Sequence, residues 1–323
     1  MISTLISISS NSWFGMWLGL EINLLSIIPL MNNMNNSYSS ESSMKYFIVQ
    51  ALSSTIILMM MILFMKFNYI TNILNNSMNM IFNSALLTKM GSAPFHFWFP
   101  EVMEGLNWMN CFIMLSWQKI TPMILLNYSL NNMNFIIIII IISLMISGIM
   151  GLNQISMRKI LTYSSINHIS WMISSILFME TLWIIYLMIY FFIIFNVIYM
   201  LNLYKIFFIN QLFIYSLNLK NFLFFSMNFL SLAGLPPFIG FFPKWLIIQM
   251  LINNNFKMLS LIMIILTLIS MFFYIRLMYS SLNLNIDNIN FIFNEFKLNS
   301  FFSFLNFLNL SSLIICTLMF SFI

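Results

Sequence analysis

Charge is what this sequence has least of. Only 6% of its 323 residues are charged, whereas a soluble globule carries roughly a quarter. With 61% hydrophobic content, 17% aromatics and a mean hydropathy of +0.96, the chain reads as an integral membrane protein. Cysteine is nearly absent. Cys111 and Cys316 both lie in apolar runs, too few for a disulfide framework or a metal cluster, and are read as small buried hydrophobes. There is no G-x-G-x-x-G after a strand, no G-x-x-x-x-G-K-[ST] phosphate loop and no cysteine spacing for an iron–sulfur cluster. The chain itself is therefore expected to hold no redox cofactor and no metal, and to hydrolyse no nucleotide. Any energy for work must reach it from a partner subunit or an ion gradient. The net charge of +5 leaves no nucleic-acid footprint, because several of its basic groups fall inside apolar runs.

What is present is a succession of long apolar stretches. A window of about 19 residues picks out ten, roughly 13–32, 44–65, 80–105, 110–130, 135–152, 157–178, 181–203, 222–252, 257–282 and 300–322. Runs of this length cannot be barrel strands, and lipid forbids unpaired backbone, so the fold class is all-α, a polytopic transmembrane helical bundle in a single domain, 1–323. The residues before Ser10 are apolar but too few to span a hydrocarbon layer of roughly 30 Å, and read as the tail of a missing or shortened helix. They lack the basic n-region and cleavage site of a secretory signal. Counting basic residues outside the spans puts Lys45, Arg158, Lys159, Lys205, Lys220 and Lys297 on one side and Lys66 and Lys257 on the other. That bias makes the first side the matrix or cytoplasmic one. The polar connector Asn32 to Ser43 falls on that side too, and the Asn- and Ser-rich stretches Asn32 to Ser40 and Asn283 to Asn290 read as solvated linkers.

Four ionisable residues, Glu21, Lys89, Lys119 and Lys244, sit deep in these spans. Such a group costs about 2.5–3.5 kcal/mol on insertion scales and persists where it faces a polar cavity, so the default reading is proton or ion transport. Burial penalises an ammonium, so a lysine can gain and lose a proton there where an arginine cannot. Glu21 is expected to pair with Lys89. Lys119, beside Gln118, Thr121 and Pro122, reads as the next station, and His168, in the polar stripe Tyr163 to Ser170, as a titratable link toward Lys244. His96 reads as a hydrogen-bonding plug for unwound backbone, and Arg276 as a partner of a carbonyl or a headgroup. Glu101 and Glu104 are expected in solvent or in a subunit contact.

Two spans share a pattern. Gly91, Pro94, Phe95, Phe99 and Pro100 recur at identical spacing as Gly234, Pro237, Phe238, Phe242 and Pro243. Proline removes a helix donor, so each segment is expected to unwind within the membrane and leave backbone groups unpaired beside water or protein. The copies fall in the third and eighth spans. That odd offset implies inverted half-repeats, 13–152 and 157–282, with 300–322 as a C-terminal helix and the working site near the midplane. Simple proline kinks in a packed bundle are the plainer alternative. Static ion pairs gluing the helices of a non-pumping scaffold are the plainer alternative for the charges.

Several motifs carry a family resemblance. They are Ser10-Asn11-Ser12-Trp13, Trp17 to Asn23, Gly91 to Trp98, Glu104 to Trp108, Ser116-Trp117-Gln118-Lys119, Ser164 to His168, and Gly234 to Phe238 with Phe242 to Trp245. Their order and spacing resemble the antiporter-like membrane-arm subunits of mitochondrial NADH:ubiquinone oxidoreductase (respiratory complex I), at the subunit 2 branch of that family, in an insect-like animal version. The resemblance implies a multi-pass protein of the mitochondrial inner membrane that translocates protons through Glu21, Lys89, Lys119, His168 and Lys244. It also implies subunit 4 and subunit 4L as neighbours, with accessory subunits and lipids around them. FMN, iron–sulfur clusters and ubiquinone are implied in other subunits, none in this chain. A free-standing cation/proton antiporter would use the same fold, repeats and lysines.

Overall fold

The computed structural model describes residues 1–32, 36–66, 72–215 and 219–282, with residues 307, 309 and 311. Among them the chain is helical throughout, with no strand beyond one isolated bridge between Ser156 and Phe208. In order the helices are α1 (Ile2–Ser9), α2 (Trp13–Met31), α3 (Ser37–Lys66), α4 (Asn72–Met90), α5 (Trp98–Gly105), α6 (Trp108–Leu115), α7 (Ile120–Tyr128), α8 (Met133–Leu152), α9 (Met157–Ile176), α10 (Glu180–Tyr204), α11 (Ile209–Tyr215), α12 (Leu219–Ala233), α13 (Phe241–Asn253) and α14 (Lys257–Leu282). Five of them, α2, α3, α8, α10 and α14, are long and apolar enough to cross a membrane. Apart from Phe307, Asn309 and Ser311, the expected span 300–322 lies outside the described residues. So do the connector Asn283 to Asn290, Lys297, Cys316 and the side chain of Lys220.

The expected runs 80–105, 110–130 and 222–252 each appear as two helices, and the cause is local. At the end of α4, Gly91 adopts φ +72°, its N–H bonds Thr88 O at 3.2 Å, and the N–H of Ser92 bonds Leu87 O at 3.2 Å. At the end of α12, Gly234 adopts φ +79°, its N–H reaches Ser231 O at 3.1 Å, and Leu235 N–H reaches Leu230 O at 3.3 Å. Both are left-handed glycine caps with the paired bonds of a Schellman motif. Glycine therefore ends each helix, and Pro94 and Pro237, three residues on, keep it from resuming. Pro100 and Pro243 then sit in the first turns of α5 and α13, where a missing N–H costs nothing. The third division falls at Lys119. Pro122 cannot donate to Gln118 O, and a 3₁₀ turn, Trp117–Lys119, joins α6 to α7.

The stretch Asn32 to Ser40 is not the solvated linker its composition suggests. From Ser37 onward it is the first turns of α3, because its hydroxyls bond their own helix: Ser39 to Asn36 O at 2.6 Å, Ser42 to Ser39 O at 2.9 Å and Ser43 to Ser40 O at 2.8 Å. Satisfied in this way, Ser39, Ser42 and Ser43 are buried.

At the centre stands α9, packed by α5, α6, α8, α10, α13 and α14, with every residue from Ile160 to Ile176 buried. A helix rich in serine survives there for the same reason. The hydroxyls of Thr162, Ser164, Ser165, Ser170, Ser174 and Ser175 each donate to the carbonyl three residues back, at 2.6–2.7 Å. Asn167 Nδ2 donates to Ser270 Oγ at 2.9 Å and ties α9 to α14.

The basic residues sort by end. Lys45 pairs with Glu41 and Glu101, both at 2.9 Å, and Lys159 with Glu104 at 2.8 Å, while Arg158 donates to Glu104 O. Met157 N–H bonds Phe207 O at 2.9 Å, which brings the Lys205 corner to the same end. Arg276 closes that end by donating to Leu152 O and Gln154 O. Its expected carbonyl partners are therefore present, and Glu101 and Glu104 are exposed, as expected. Lys66 and Lys257 lie at the far ends of α3 and α14. The pair α4–α5 runs toward the basic end, and α12–α13 runs away from it.

Because both caps need a positive φ, Gly91→Ala and Gly234→Ala should each cost about 1–2 kcal/mol from backbone alone. Gly148→Ala, inside α8 without a positive φ and meeting only Ile269 at 3.2 Å, should cost less. Thermal melting of the detergent-solubilised protein, variant by variant, checks the order.

Candidate functional site

The interior amines are placed by the three helix divisions. Lys89 is in the last turn of α4, Lys119 ends the 3₁₀ turn before α7, and Lys244 is in the first turn of α13. They are 7%, 2% and 6% exposed, so none reaches an interface by extending its stem. His168 on α9 is 4% exposed.

Lys89 and Lys119 line one cavity. It has about 20 Å³ of space for water centres and is also lined by Asn23, Gln50, Gln118 and Thr121. A water needs roughly 10–15 Å³ of such space and two to four polar partners, so this cavity suits one water or two. Its amide wall is fixed: Asn23 Nδ2 donates to Gln118 Oε1 at 2.7 Å and Gln118 Nε2 to Asn23 Oδ1 at 3.4 Å, joining α2 to the 3₁₀ turn. The hydroxyl of Thr121, buried, has no partner among the described residues.

Glu21 does not pair with Lys89. No ion pair within 4.0 Å joins them among the described residues, and Glu21 is half-exposed on α2. It acts on Lys89 through space only. The reason is angular. Glu21 lies on the turn whose inward positions are Leu20, Asn23 and Leu24, so the cavity wall receives Asn23 and the carboxylate stays to the side.

Beyond the cavity, Lys119 Nζ donates to Tyr190 Oη at 3.2 Å and lies 5.2 Å from the Tyr190 ring and 5.6 Å from the Phe99 ring. The Tyr190 ring stands 4.8 Å from the His168 imidazole, whose Nδ1 is 2.8 Å from Tyr186 Oη. The other ring nitrogen, Nε2, is buried with no partner among the described residues. Tyr186 and Tyr190 were not singled out in the sequence. Their four-residue spacing on α10, which puts both on one face, was the available signal, hidden among the neighbouring aromatics.

Lys244 is held differently. Its Nζ donates to Ala233 O at 2.8 Å and Leu232 O at 3.4 Å, the last carbonyls of α12, and lies 5.9 Å from the Trp171 ring. Trp171 follows His168 by three residues on α9, so Lys244 and His168 face neighbouring positions of one helix and interact electrostatically. The expectation of unpaired backbone at the helix ends is therefore corrected. At the first, Trp98 Nε1 takes Thr88 O at 3.0 Å and Gln50 Nε2 takes Lys89 O at 3.3 Å; at the second, Lys244 does this work. His96 sits where expected, against the non-helical segment, with Nδ1 3.3 Å from Pro94 O. Cys111 is fully buried, as read.

The geometry thus brings Lys89 and Lys119 to one cavity, with His168 beyond the Tyr190 ring that Lys119 touches, Lys244 at a neighbouring position of α9 and Glu21 at the cavity's edge. Such a set can exchange protons, and among the described residues no cluster of His, Cys, Asp and Glu could hold a metal ion.

Residues 10–270 match the family model described as NADH:quinone oxidoreductase/Mrp antiporter, transmembrane. The chain is 46% identical over 327 residues to the NADH-ubiquinone oxidoreductase chain 2 of Anopheles gambiae, covering 99% of this chain and 95% of that one. Among solved structures, a chain of respiratory complex I from Thermus thermophilus superposes with a TM-score of 0.78 at 21% identity, covering 87% of this chain and 68% of that one. A chain of the Mrp complex from Dietzia sp. DQ12-45-1b superposes with a TM-score of 0.72 at 15% identity, covering 86% and 58%.

Tyr186→Phe would leave His168 with neither ring nitrogen paired and should destabilise the protein by about 1–3 kcal/mol. Tyr128→Phe, at an exposed position, should be neutral. Comparison of the two melting curves decides.

Proposed function

The chain belongs to the NADH:quinone oxidoreductase/Mrp antiporter membrane family, and from that premise we propose that it is a proton-translocating membrane-arm subunit of respiratory complex I. It acts as part of an NADH:ubiquinone oxidoreductase whose redox chemistry takes place in other subunits. Those subunits carry the FMN, the iron–sulfur clusters and the ubiquinone, and this chain contributes protonatable side chains. Its setting is the mitochondrial inner membrane, crossed about ten times, nine within two inverted half-repeats, 13–152 and 157–282, with two interrupted helices, and once by the expected span 300–322. The basic end, with Lys45, Arg158, Lys159 and Lys205, faces the matrix. Subunit 4 and subunit 4L flank it in the membrane arm.

The observation that carries this reading is three amines, Lys89, Lys119 and Lys244, kept inside an apolar bundle at its helix divisions, the first two sharing a cavity sized for water. Lys244 also closes the end of α12, but a scaffold needs no two amines at one water-sized cavity, because a buried charge contributes little to stability and is retained where it has a task. In the cycle, a change of charge at one end of the membrane arm reaches Glu21. Glu21 acts on Lys89 across space, and Lys89 exchanges a proton with Lys119 through the cavity, where the Asn23–Gln118 amides orient water. The proton then moves past His168 toward Lys244. Lys244 releases it toward the half-path opened at Gly234.

Lys119→Met keeps the length and apolar stem of the side chain and removes only the amine. In the assembled enzyme it should slow NADH-driven proton translocation by about 10²-fold or more, in line with loss of a proton-transfer group. An unchanged rate together with an unchanged proton-to-electron ratio would refute the relay. Gentle detergent extraction is a second check: the chain should migrate only within a very large assembly.

A further inference from the structure

No hydrogen bond joins Lys119 to His168 among the described residues, and the group standing between them is a phenol. Tyr190 Oη accepts from Lys119 Nζ at 3.2 Å, and its ring lies 4.8 Å from the His168 imidazole. We infer that the Tyr190 hydroxyl is the group that passes the proton between Lys119 and His168, a role that rests on the relay reading above.

The chemistry balances without a co-reactant. An N–H bond of the Lys119 ammonium breaks as an O–H bond forms on Tyr190 Oη, and, once the hydroxyl has turned into reach of the imidazole, the phenol's original O–H bond breaks as an N–H bond forms on His168. Tyr190 is neutral before and after, and rotation of the hydroxyl resets it. The receiving atom is identified by elimination within the imidazole. Nδ1 is taken by Tyr186 Oη at 2.8 Å, whereas Nε2 is buried and has no partner. Ser165, three residues before His168 on α9, places its hydroxyl beside the phenol. That hydroxyl donates to Thr162 O at 2.7 Å, so toward the phenol its oxygen is free to accept.

Packing does not explain the residue type. Position 190 is followed by Phe191, Phe192 and Phe195 on the same helix, and Lys119 already has the Phe99 ring at 5.6 Å on another side. A phenylalanine at 190 would supply an equal ring to both Lys119 and His168. Only the hydroxyl distinguishes the tyrosine, and it sits on Lys119 Nζ.

Tyr190→Phe in the intact complex, reconstituted into proteoliposomes, tests this. Rates are taken per assembled complex, in H₂O and D₂O, with Lys119→Met in parallel. The expected result is normal assembly, a fall of at least about tenfold in NADH-driven proton translocation, and an altered solvent isotope effect. If Lys119→Met is defective while Tyr190→Phe translocates at the wild-type rate, the phenol is not in the path and this inference alone fails. If Lys119→Met is itself silent, the relay reading fails with it. Lowered assembly with an unchanged rate and isotope effect per assembled complex would make Tyr190 a packing residue and overturn the inference.

Discussion

A helix that stops inside an apolar bundle leaves its last carbonyls where bulk water does not reach them, and each must find a donor within the protein. Much of this fold answers to that constraint. At the end of α4, the carbonyls of Leu87 and Thr88 go to the Gly91 cap, Thr88 O accepting from Trp98 Nε1 as well, and that of Lys89 goes to the side chain of Gln50. At the end of α12, two go to the Gly234 cap and two to Lys244. The caps are alike because the glycine repeats. The side-chain donors differ, and that difference frees Lys89 to line a cavity while Lys244 is bound to backbone.

Dry polarity is the second consequence. The hydroxyls of α9 are consumed by its own carbonyls, so a serine-rich helix can be enclosed by six others without a desolvation penalty. What remains available for exchange is then a short set of groups: two amines at one cavity, a phenol, and an imidazole with one nitrogen engaged. The acids and bases at the basic end are a separate matter. Lys45, Glu41, Glu101, Lys159 and Glu104 are partly or largely solvated, and ion pairs of that kind contribute about 0–1 kcal/mol each. They fix which end is basic and do little for stability.

Helix positions and the depth of the lysines were legible in the sequence because apolar run length and the scarcity of charge are one-dimensional signals. The sorting of Lys45, Arg158 and Lys159 to one end was legible for the same reason. Rotation about a helix axis was not. Glu21 and Asn23 are two residues apart, and which of them meets the cavity depends on how α2 packs against α1 and α3, so the Glu21–Lys89 contact was misassigned. Proline drew attention at both helix breaks, yet glycine makes the cap, and only a φ value separates the two roles. Tyr186 and Tyr190 were invisible for a statistical reason: in a chain with 17% aromatics, a pair at four-residue spacing carries no contrast. Their hydroxyls gain meaning only once Lys119 and His168 are seen against them.

The same substitution therefore has different content at different lysines. Removing the Lys119 amine strands one phenol that has a serine beside it, so the fold loses little and a functional change reports on proton movement. Removing the Lys244 amine strands two carbonyls at the end of α12, at about 1–3 kcal/mol each, and loosens the Gly234 turn they belong to. A defect at Lys244 mixes proton exchange with a lost helix cap, and a methionine there cannot separate them. The separation must come from the Lys119 side, where a hydroxyl can be deleted from Tyr190 without moving a ring.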